Sequence, residues 1–297
     1  MVSIVIPTYK NQRLFLKNLA HNWQYFNGCE VIVVNDDPEQ SLKKVLDKYQ
    51  LTLLENKINL GFGRTVNRGV EIAKNQYIML INDDVIFEDD RFKSVLPLFK
   101  KNPLLFGVGF AQKEKNNNLV GKNRIYWRNG LINHQKADDL KLGFTGWAEG
   151  GSCIIDKKKF LELDGFDGLY SPFYWEDIDL SYRAWKTGYQ VIFQPKTVVN
   201  HHHETTIGKN FDNKFIKTVA YRNQFIFIWK NITDFFLIIK HCFQLPFNLI
   251  YYPLKGESEF LSGFINAAKK LPEILQKRDA DKGKYHLTDK EVLSKFI

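Results

Sequence analysis

The feature that most constrains the fold is a series of short, almost wholly apolar runs, each giving way to polar residues. "VSIVIP" (2–7) leads into Thr8, "EVIVVN" (30–35) into Asp36-Asp37, and "YIMLIN" (77–82) into Asp83-Asp84. Between the first two runs, Leu14, Leu19, Trp23 and Phe26 recur at roughly helical spacing. A fourth run, "LTLLEN" (51–56), follows another helical stretch, and a helix is expected near 63–74. Strands that lack polar alternation and are separated by helices imply a parallel sheet covered on both faces. Ligands bind beyond the carboxyl ends of such strands. Pro7-Thr8, Asn35 to Asp37 and Asn82 to Asp84 are therefore expected to meet at one crevice.

Two adjacent aspartates at the end of an apolar strand are costly unless a positive charge meets them, and a hard divalent cation is the usual remedy. A turn is the alternative, because Asn and Asp also end strands for local reasons. In "NLGFGRTVNRG" (59–69) the glycines permit close backbone approach, and Arg64 and Arg68 suit a phosphate. The stretch is neither GxGxxG nor a phosphate loop, so it indicates neither a dinucleotide cofactor nor phosphoryl transfer. "VVNHHHETT" (198–206) places histidines after a β-branched run, where His201 and His203 share a strand face.

"SPFYWEDIDLSYRAW" (171–185) crowds Glu176, Asp177 and Asp179 against aromatics. Acids in a first helical turn are stabilised by the helix dipole, and Asp179 sits four residues before Arg183, as an ion pair requires. Burial beside aromatics disfavours the ionisation of these acids.

From 104 to 205 the pattern is mixed, with strands expected near 105–111, 152–156 and 191–200 and polar loops at 112–123 and 133–141. A boundary is expected near 205, giving a unit of 1–205 and a helical, basic extension of 206–297. The extension holds 15 Lys and Arg against 9 Asp and Glu, six of the nine excess positive charges of the chain. That asymmetry suggests an anionic surface as partner. No zinc-finger spacing, RNA-binding signature or basic zipper supports nucleic acid. "FIFIWKNITDFFLIIKHCFQLPFNLIYYPL" (225–254) is interrupted too often to span a bilayer. It reads as an amphipathic segment lying at a membrane interface, or as a pair of packing helices. Three cysteines without metal-type spacing, and no visible signal peptide, suggest a reducing, cytoplasmic compartment.

In order along the chain, "SIVIPTYKN", "EVIVVNDD", "NLGFGRTVNRG", "YIMLINDDV", "GWAEGGSCIIDKKKFLELDGFD", "YWEDIDLSYRAWKTGYQV" and "VVNHHH" resemble the family 2 glycosyltransferases, most of all those of the rhamnosyltransferase type. The resemblance covers about residues 2–206. It implies an α/β fold of the GT-A kind, a Rossmann-like, nucleotide-binding mixed sheet between helices, here with a C-terminal helical extension. It also implies inverting transfer from a nucleoside-diphosphate sugar to a saccharide or lipid-linked hydroxyl, in bacterial surface polysaccharide synthesis, on the inner face of the cytoplasmic membrane.

Carried over residue by residue, the resemblance makes Asp177 the general base, with Glu176 beside it. Pro7, Thr8, Asp36, Asp37, Asn59, Gly61, Arg64, Asn67, Asn82 and Asp83 fall on the donor side. Trp147, Glu149 and Trp175 fall on the acceptor side. Asp84, His201 and His203 are the implied ligands of Mn2+ or Mg2+. This chain has Asn82 where the family's Asp-X-Asp motif begins. The implied donor is deoxythymidine-diphospho-rhamnose or a uridine-diphospho sugar. The intact acids disfavour a silent sugar- or membrane-binding module, and "PTYKNQRLF" lacks the basic, glycine-rich signature of a nucleotidyltransferase. A processive synthase is disfavoured because no Gln-x-x-Arg-Trp motif occurs.

Overall fold

The structure, a computed structural model, describes residues 1–114, 116–201, 208 and 210–296. His203 lies outside the described residues. In chain order the first half contains β1 (Val2–Thr8), α1 (Gln12–Asn22), β2 (Glu30–Asn35), α2 (Lys43–Leu46), β3 (Thr52–Glu55), α3 (Phe62–Ile72), β4 (Tyr77–Ile81), β5 (Val85–Phe87), α4 (Leu96–Lys101) and β6 (Leu105–Lys113). Then come β7 (Leu119–Val120), β8 (Asn123–Arg128), β9 (Leu131–Lys136), β10 (Gly143–Phe144), β11 (Ser152–Asp156), α5 (Lys157–Glu162), α6 (Glu176–Lys186) and β12 (Gln190–His201). The C-terminal helices are α7 (Asn213–Asn231), α8 (Phe235–Leu254), α9 (Glu259–Ala268), α10 (Leu271–Lys282) and α11 (Asp289–Leu293).

The main sheet runs in the order β10-β12-β6-β11-β4-β1-β2-β3. Its β3-β2-β1-β4 half is parallel, as the apolar runs imply. Strand β11 enters antiparallel between β4 and β6, and β12 lies parallel to β6, so the whole sheet is mixed. Alternate side chains feed two apolar layers. Ile4, Val33 and Met79 pack with Phe15 and Leu19 of α1, while Val5, Val34 and Leu80 pack with Val66 and Val70 of α3. Helix α3 comes closest to the sheet at Gly69, where a Cβ would fall 2.5 Å from Val5 Cγ1. Any side chain there would drive helix and sheet apart.

Two expected loops contain structure. Residues 123–136 form the β8–β9 hairpin, turned by Asn129-Gly130 with φ of 51° and 74°. That dipeptide is a strong hairpin signal, because both central residues of the turn need positive φ. Gln112 and Lys113, in the other expected loop, extend β6, and Leu119 and Val120 pair with it.

The C-terminal helices share the apolar layer that holds Val5 and Leu80, through Phe225, Phe227, Ile274 and Phe296. Two buried ionic clusters also bind them to α6. Asp179 accepts from Arg183 Nε (2.8 Å), Lys230 Nζ (3.0 Å), Asn231 Nδ2 (2.8 Å) and the Tyr170 hydroxyl (2.8 Å). Lys186 pairs with Asp289 at 2.7 Å, and Asp289 also accepts from the Tyr182 hydroxyl and the Thr233 amide. The i,i+4 pair read from the sequence is present, and the lysine that joins it from 51 residues away has its own charge balanced by Asp167 at 2.8 Å. Breaking one such partner out of a buried cluster costs about 3–5 kcal/mol.

Candidate active-site cleft

The carboxyl ends of β1, β2 and β4 open into a cleft of about 300 Å³. Its lining includes Pro7, Thr8, Asp36, Asn59, Gly61, Asn82, Asp83, Asp84, Glu149, Glu176, Asp177 and His201, twelve residues that the sequence singled out. The acidic strand ends do converge.

Each acid there has a different environment. Asp36 is spent on the backbone: its carboxylate accepts from Leu60 N (2.8 Å), Gly61 N (2.9 Å) and Asn56 Nδ2 (2.7 Å), fixing the loop that starts α3. Asp83 accepts from the Thr8 hydroxyl at 2.7 Å and from Asn11 Nδ2 at 3.4 Å, and burial pushes its pKa up to about 7. Its carbonyl accepts from the buried Asn18 of α1, while Asn22 bonds to both Val85 and Phe87 of β5. Helix α1 thus buries two amides to hold the acidic turn. Asn82 lies against Gly151, whose missing Cβ would sit 2.5 Å from Asn82 Nδ2.

Asp84 has a different neighbour. Its Oδ1 lies 3.0 Å from His201 Nε2 at the end of β12. The other ring nitrogen, Nδ1, is 2.8 Å from Gln112 Oε1. Gln112 presents that oxygen because its Nε2 donates to Ser152 Oγ (2.8 Å) and to Glu149 Oε2, and Glu149 in turn accepts from Asn123 Nδ2 (3.0 Å). His201 therefore carries a proton on Nδ1, which leaves the Nε2 lone pair facing a carboxylate oxygen. Two acceptors at 3.0 Å need a cation between or beside them, either a proton, which Asp84 favours by raising the His201 pKa, or a metal ion. The residues fit a metal. A right-angle pair of ligands with bonds of about 2.1 Å stands about 3.0 Å apart, and a metal-binding histidine characteristically donates its other N–H to an oxygen. Among the described residues no group of three or more His, Cys, Asp or Glu is placed to hold a metal.

The second half of the site is the 170–177 loop. Tyr174 and Trp175 have φ of 71° and 77°, a left-handed conformation that costs of order 1–3 kcal/mol for each non-glycine residue. Asn223 of α7 holds it in place, its Nδ2 reaching the carbonyls of Tyr170 (2.9 Å), Phe173 (2.9 Å) and Tyr174 (2.8 Å). Arg222 adds a bond of 2.5 Å to the Ser171 carbonyl. The turn delivers Glu176 and Asp177 to the cleft at the start of α6. Asp177 Oδ2 accepts from Gly150 N at 3.2 Å and Oδ1 from Ile178 N at 2.8 Å. Glu176 Oε2 is buried with no hydrogen-bond partner among the described residues. Burial raises both carboxyls, and the mutual repulsion of the pair raises Glu176 further. Glu176 is raised the further of the two, which makes Asp177 the more readily ionised member.

The other described residues that the sequence selected, Asp37, Arg64, Asn67, Trp147 and Trp175, stand outside the cleft lining. Asp37 caps its own turn by accepting from Glu39 N. Asn67 clips the Phe166 backbone from both sides (2.8 and 2.9 Å), and Arg64 lies against Gly168. Trp147 and Trp175 pack on the two sides of His134, with ring centroids 5.4 and 5.1 Å away. The aromatic wall of the cleft is instead Tyr9, Phe62, Phe173, Tyr174 and Phe211. Phe173 and Tyr174 sit in the quoted "SPFYWED" run, so that signal was present. Gln112 and Asn223 were not legible, because nothing local marks them.

The family model described as "Glycosyl transferase family 2" matches residues 3–163. A poly-beta-1,6-N-acetyl-D-glucosamine synthase of Staphylococcus epidermidis is 21% identical over 174 residues, 57% of this chain and 42% of that protein. The chain thus spans about two fifths of the length of that relative. The amylovoran biosynthesis glycosyltransferase AmsB of Erwinia amylovora is 24% identical over 230 residues, covering 72% of this chain and 74% of AmsB. Among solved structures, GalNAc-T7 with UDP, GalNAc and Mn2+ superposes with a TM-score of 0.61 at 14% identity, over 77% of this chain and 48% of that one.

Proposed function

Because the chain belongs to glycosyl transferase family 2 and has the GT-A fold, we propose that it is an inverting glycosyltransferase of surface polysaccharide synthesis. It moves a sugar from a nucleoside diphosphate to a saccharide or lipid-linked hydroxyl at the inner face of the cytoplasmic membrane. The observation that carries this reading is that Asp177 and the Asp84–His201 pair line a single cleft. The relatives named above act in polysaccharide synthesis by their names, and the superposed GalNAc-T7 structure holds UDP and Mn2+.

In this reading Asp177 Oδ2 accepts the proton of the acceptor hydroxyl as its oxygen bonds to the anomeric carbon. Attack opposite the leaving diphosphate inverts that carbon in one displacement. Glu176, held neutral by burial, keeps a second negative charge away from the base. Asp84 Oδ1 and His201 Nε2 would hold Mn2+ or Mg2+, with donor phosphate oxygens completing the shell. When bound, that ion neutralises the charge that develops on the leaving diphosphate. The aromatic wall at Phe173 and Tyr174 offers an apolar face to a sugar ring. The donor is proposed to carry uridine or deoxythymidine, with rhamnose as one sugar to try.

Titration calorimetry of the full chain with UDP, dTDP and GDP, with and without Mn2+, tests the reading. Metal-dependent binding of one diphosphate, with a matching rise in melting temperature, is expected. Folded protein that binds none of them under either condition would remove the transferase reading.

A further inference from the structure

Helix α8 is inside out. Its two fully buried residues are polar: His241 Nδ1 donates to the Gly130 carbonyl (2.7 Å) while Nε2 accepts from Trp229 Nε1 (2.9 Å), and Asn248 Nδ2 donates to the Asn129 carbonyl (2.9 Å). Its opposite side carries Phe236 (75% exposed), Phe243 (72%), Phe247 (60%), Ile250 (64%) and Leu254 (81%). Spaced at three, four and seven residues, these form one stripe along the helix. A water-facing helix side is normally polar, and an apolar stripe of this length marks a surface that something covers.

We propose that this stripe docks on an anionic phospholipid surface, with α8 lying in the plane of the interface. The charge pattern selects that occupant. No Asp or Glu occurs between Asp234 and Glu257, while Lys240 and Lys255 are exposed on and just beyond α8, and Lys269 is exposed at the end of α9. A second copy of the chain would bring lysines to lysines with no carboxylate on the stripe to meet them, whereas lipid phosphates neutralise them and acyl chains accept the phenylalanines. No described helix is long and apolar enough to cross a membrane, so the contact is one of lying on the bilayer. Of the segment's two sequence readings, packing is met by the side of α8 that lies on the hairpin, and the membrane reading is the one this proposal puts to the test.

Flotation of the full chain with vesicles of phosphatidylcholine, alone or with about one third phosphatidylglycerol, tests the proposal. The chain should float with the anionic vesicles and release at high salt. The triple variant Phe236→Ser, Phe243→Ser, Phe247→Ser should partition at least roughly 100-fold less. The double variant Lys240→Glu, Lys255→Glu should lose about tenfold on anionic vesicles and little on neutral ones. All these side chains are exposed, and unchanged circular dichroism and melting confirm that the variants fold. Failure of the folded chain to float with anionic vesicles at low salt would overturn the proposal, as would a triple variant that floats like the parent. So would concentration-dependent dimers that the triple variant abolishes without any flotation, which would assign the stripe to a second copy. The proposal rests on the transferase reading only for its placement at a membrane face, and none of these outcomes bears on the transfer chemistry, because no residue of α8 lines the cleft.

Discussion

The cleft is built from two acidic regions by opposite means. The Asp83-Asp84 end is made by sheet register: β4 and β12 fix where the acids and His201 emerge, and α1 ties the turn down with Asn18 and Asn22. The Glu176-Asp177 end is made by a strained loop that three carbonyl bonds from one asparagine, about 50 residues downstream, hold in shape. The first region is rigid because its strands are. The second is rigid only while α7 is docked, so the proposed base and the proposed metal pair should respond separately to mutation.

The largest effect expected is at the base. Asp177→Asn keeps an acceptor for Gly150 N and removes the proton-accepting carboxylate, so turnover should fall by about 10²–10⁴, while calorimetric affinity for the nucleoside diphosphate with Mn2+ stays unchanged. Because burial raises the Asp177 pKa, its ionised form is lost as pH falls through that raised value. The parent kcat/KM should therefore decline on the acid side of an elevated pKa, and the residual activity of the variant should lack that limb. An Asp177→Asn enzyme that turns over like the parent would leave the loop region without a catalytic part.

Legibility in the sequence follows the same division. Strand ends and the Asp179–Arg183 pair are set by neighbours within a few residues, and periodicity and helical spacing reveal them, whereas the equally local Asn129-Gly130 turn is passed over and its second strand is expected as a loop. Side-chain direction within a motif is less accessible. Asp37, Arg64 and Asn67 sit beside cleft residues yet are drawn away by Glu39 N, Gly168 and the Phe166 backbone. Gln112 bonds to a histidine 89 positions later, and Lys230 meets an aspartate 51 positions earlier. Pairings at such separations exist only after folding. The loop expected at 112–123 hid Gln112 for that reason, because extending β6 through it depends on β12 beside it.

An intermediate effect tests the strand-end region alone. Gln112→Leu removes the acceptor that fixes the His201 ring, and loss of such an orienting partner typically weakens metal affinity about 10–100-fold. Mn2+ dependence of nucleoside-diphosphate binding should shift to higher metal concentration by that factor. Binding measured at saturating Mn2+ should recover. An unchanged Mn2+ requirement would mean that the Gln112–His201 bond does not prepare the ring for metal.

The smallest effect on turnover is expected from Asn223→Ala, and it separates the two regions most cleanly. Three carbonyls lose the Asn223 donor at once, Tyr170 keeping only a long bond from Arg222 (3.4 Å), and at about 1 kcal/mol net for each bond the chain should lose roughly 2–4 kcal/mol of stability. The left-handed residues at 174 and 175 then have less to oppose their relaxation. Displacement of Asp177 by a fraction of an ångström should lower kcat by about tenfold, and Mn2+-dependent nucleoside-diphosphate affinity should hold, since Asn223 touches neither Asp84 nor His201. Equal losses in both readouts would show that the cleft behaves as one cooperative unit. A fall in kcat alone, with the folded population held constant at low temperature, would show that α7 acts on the base through the loop.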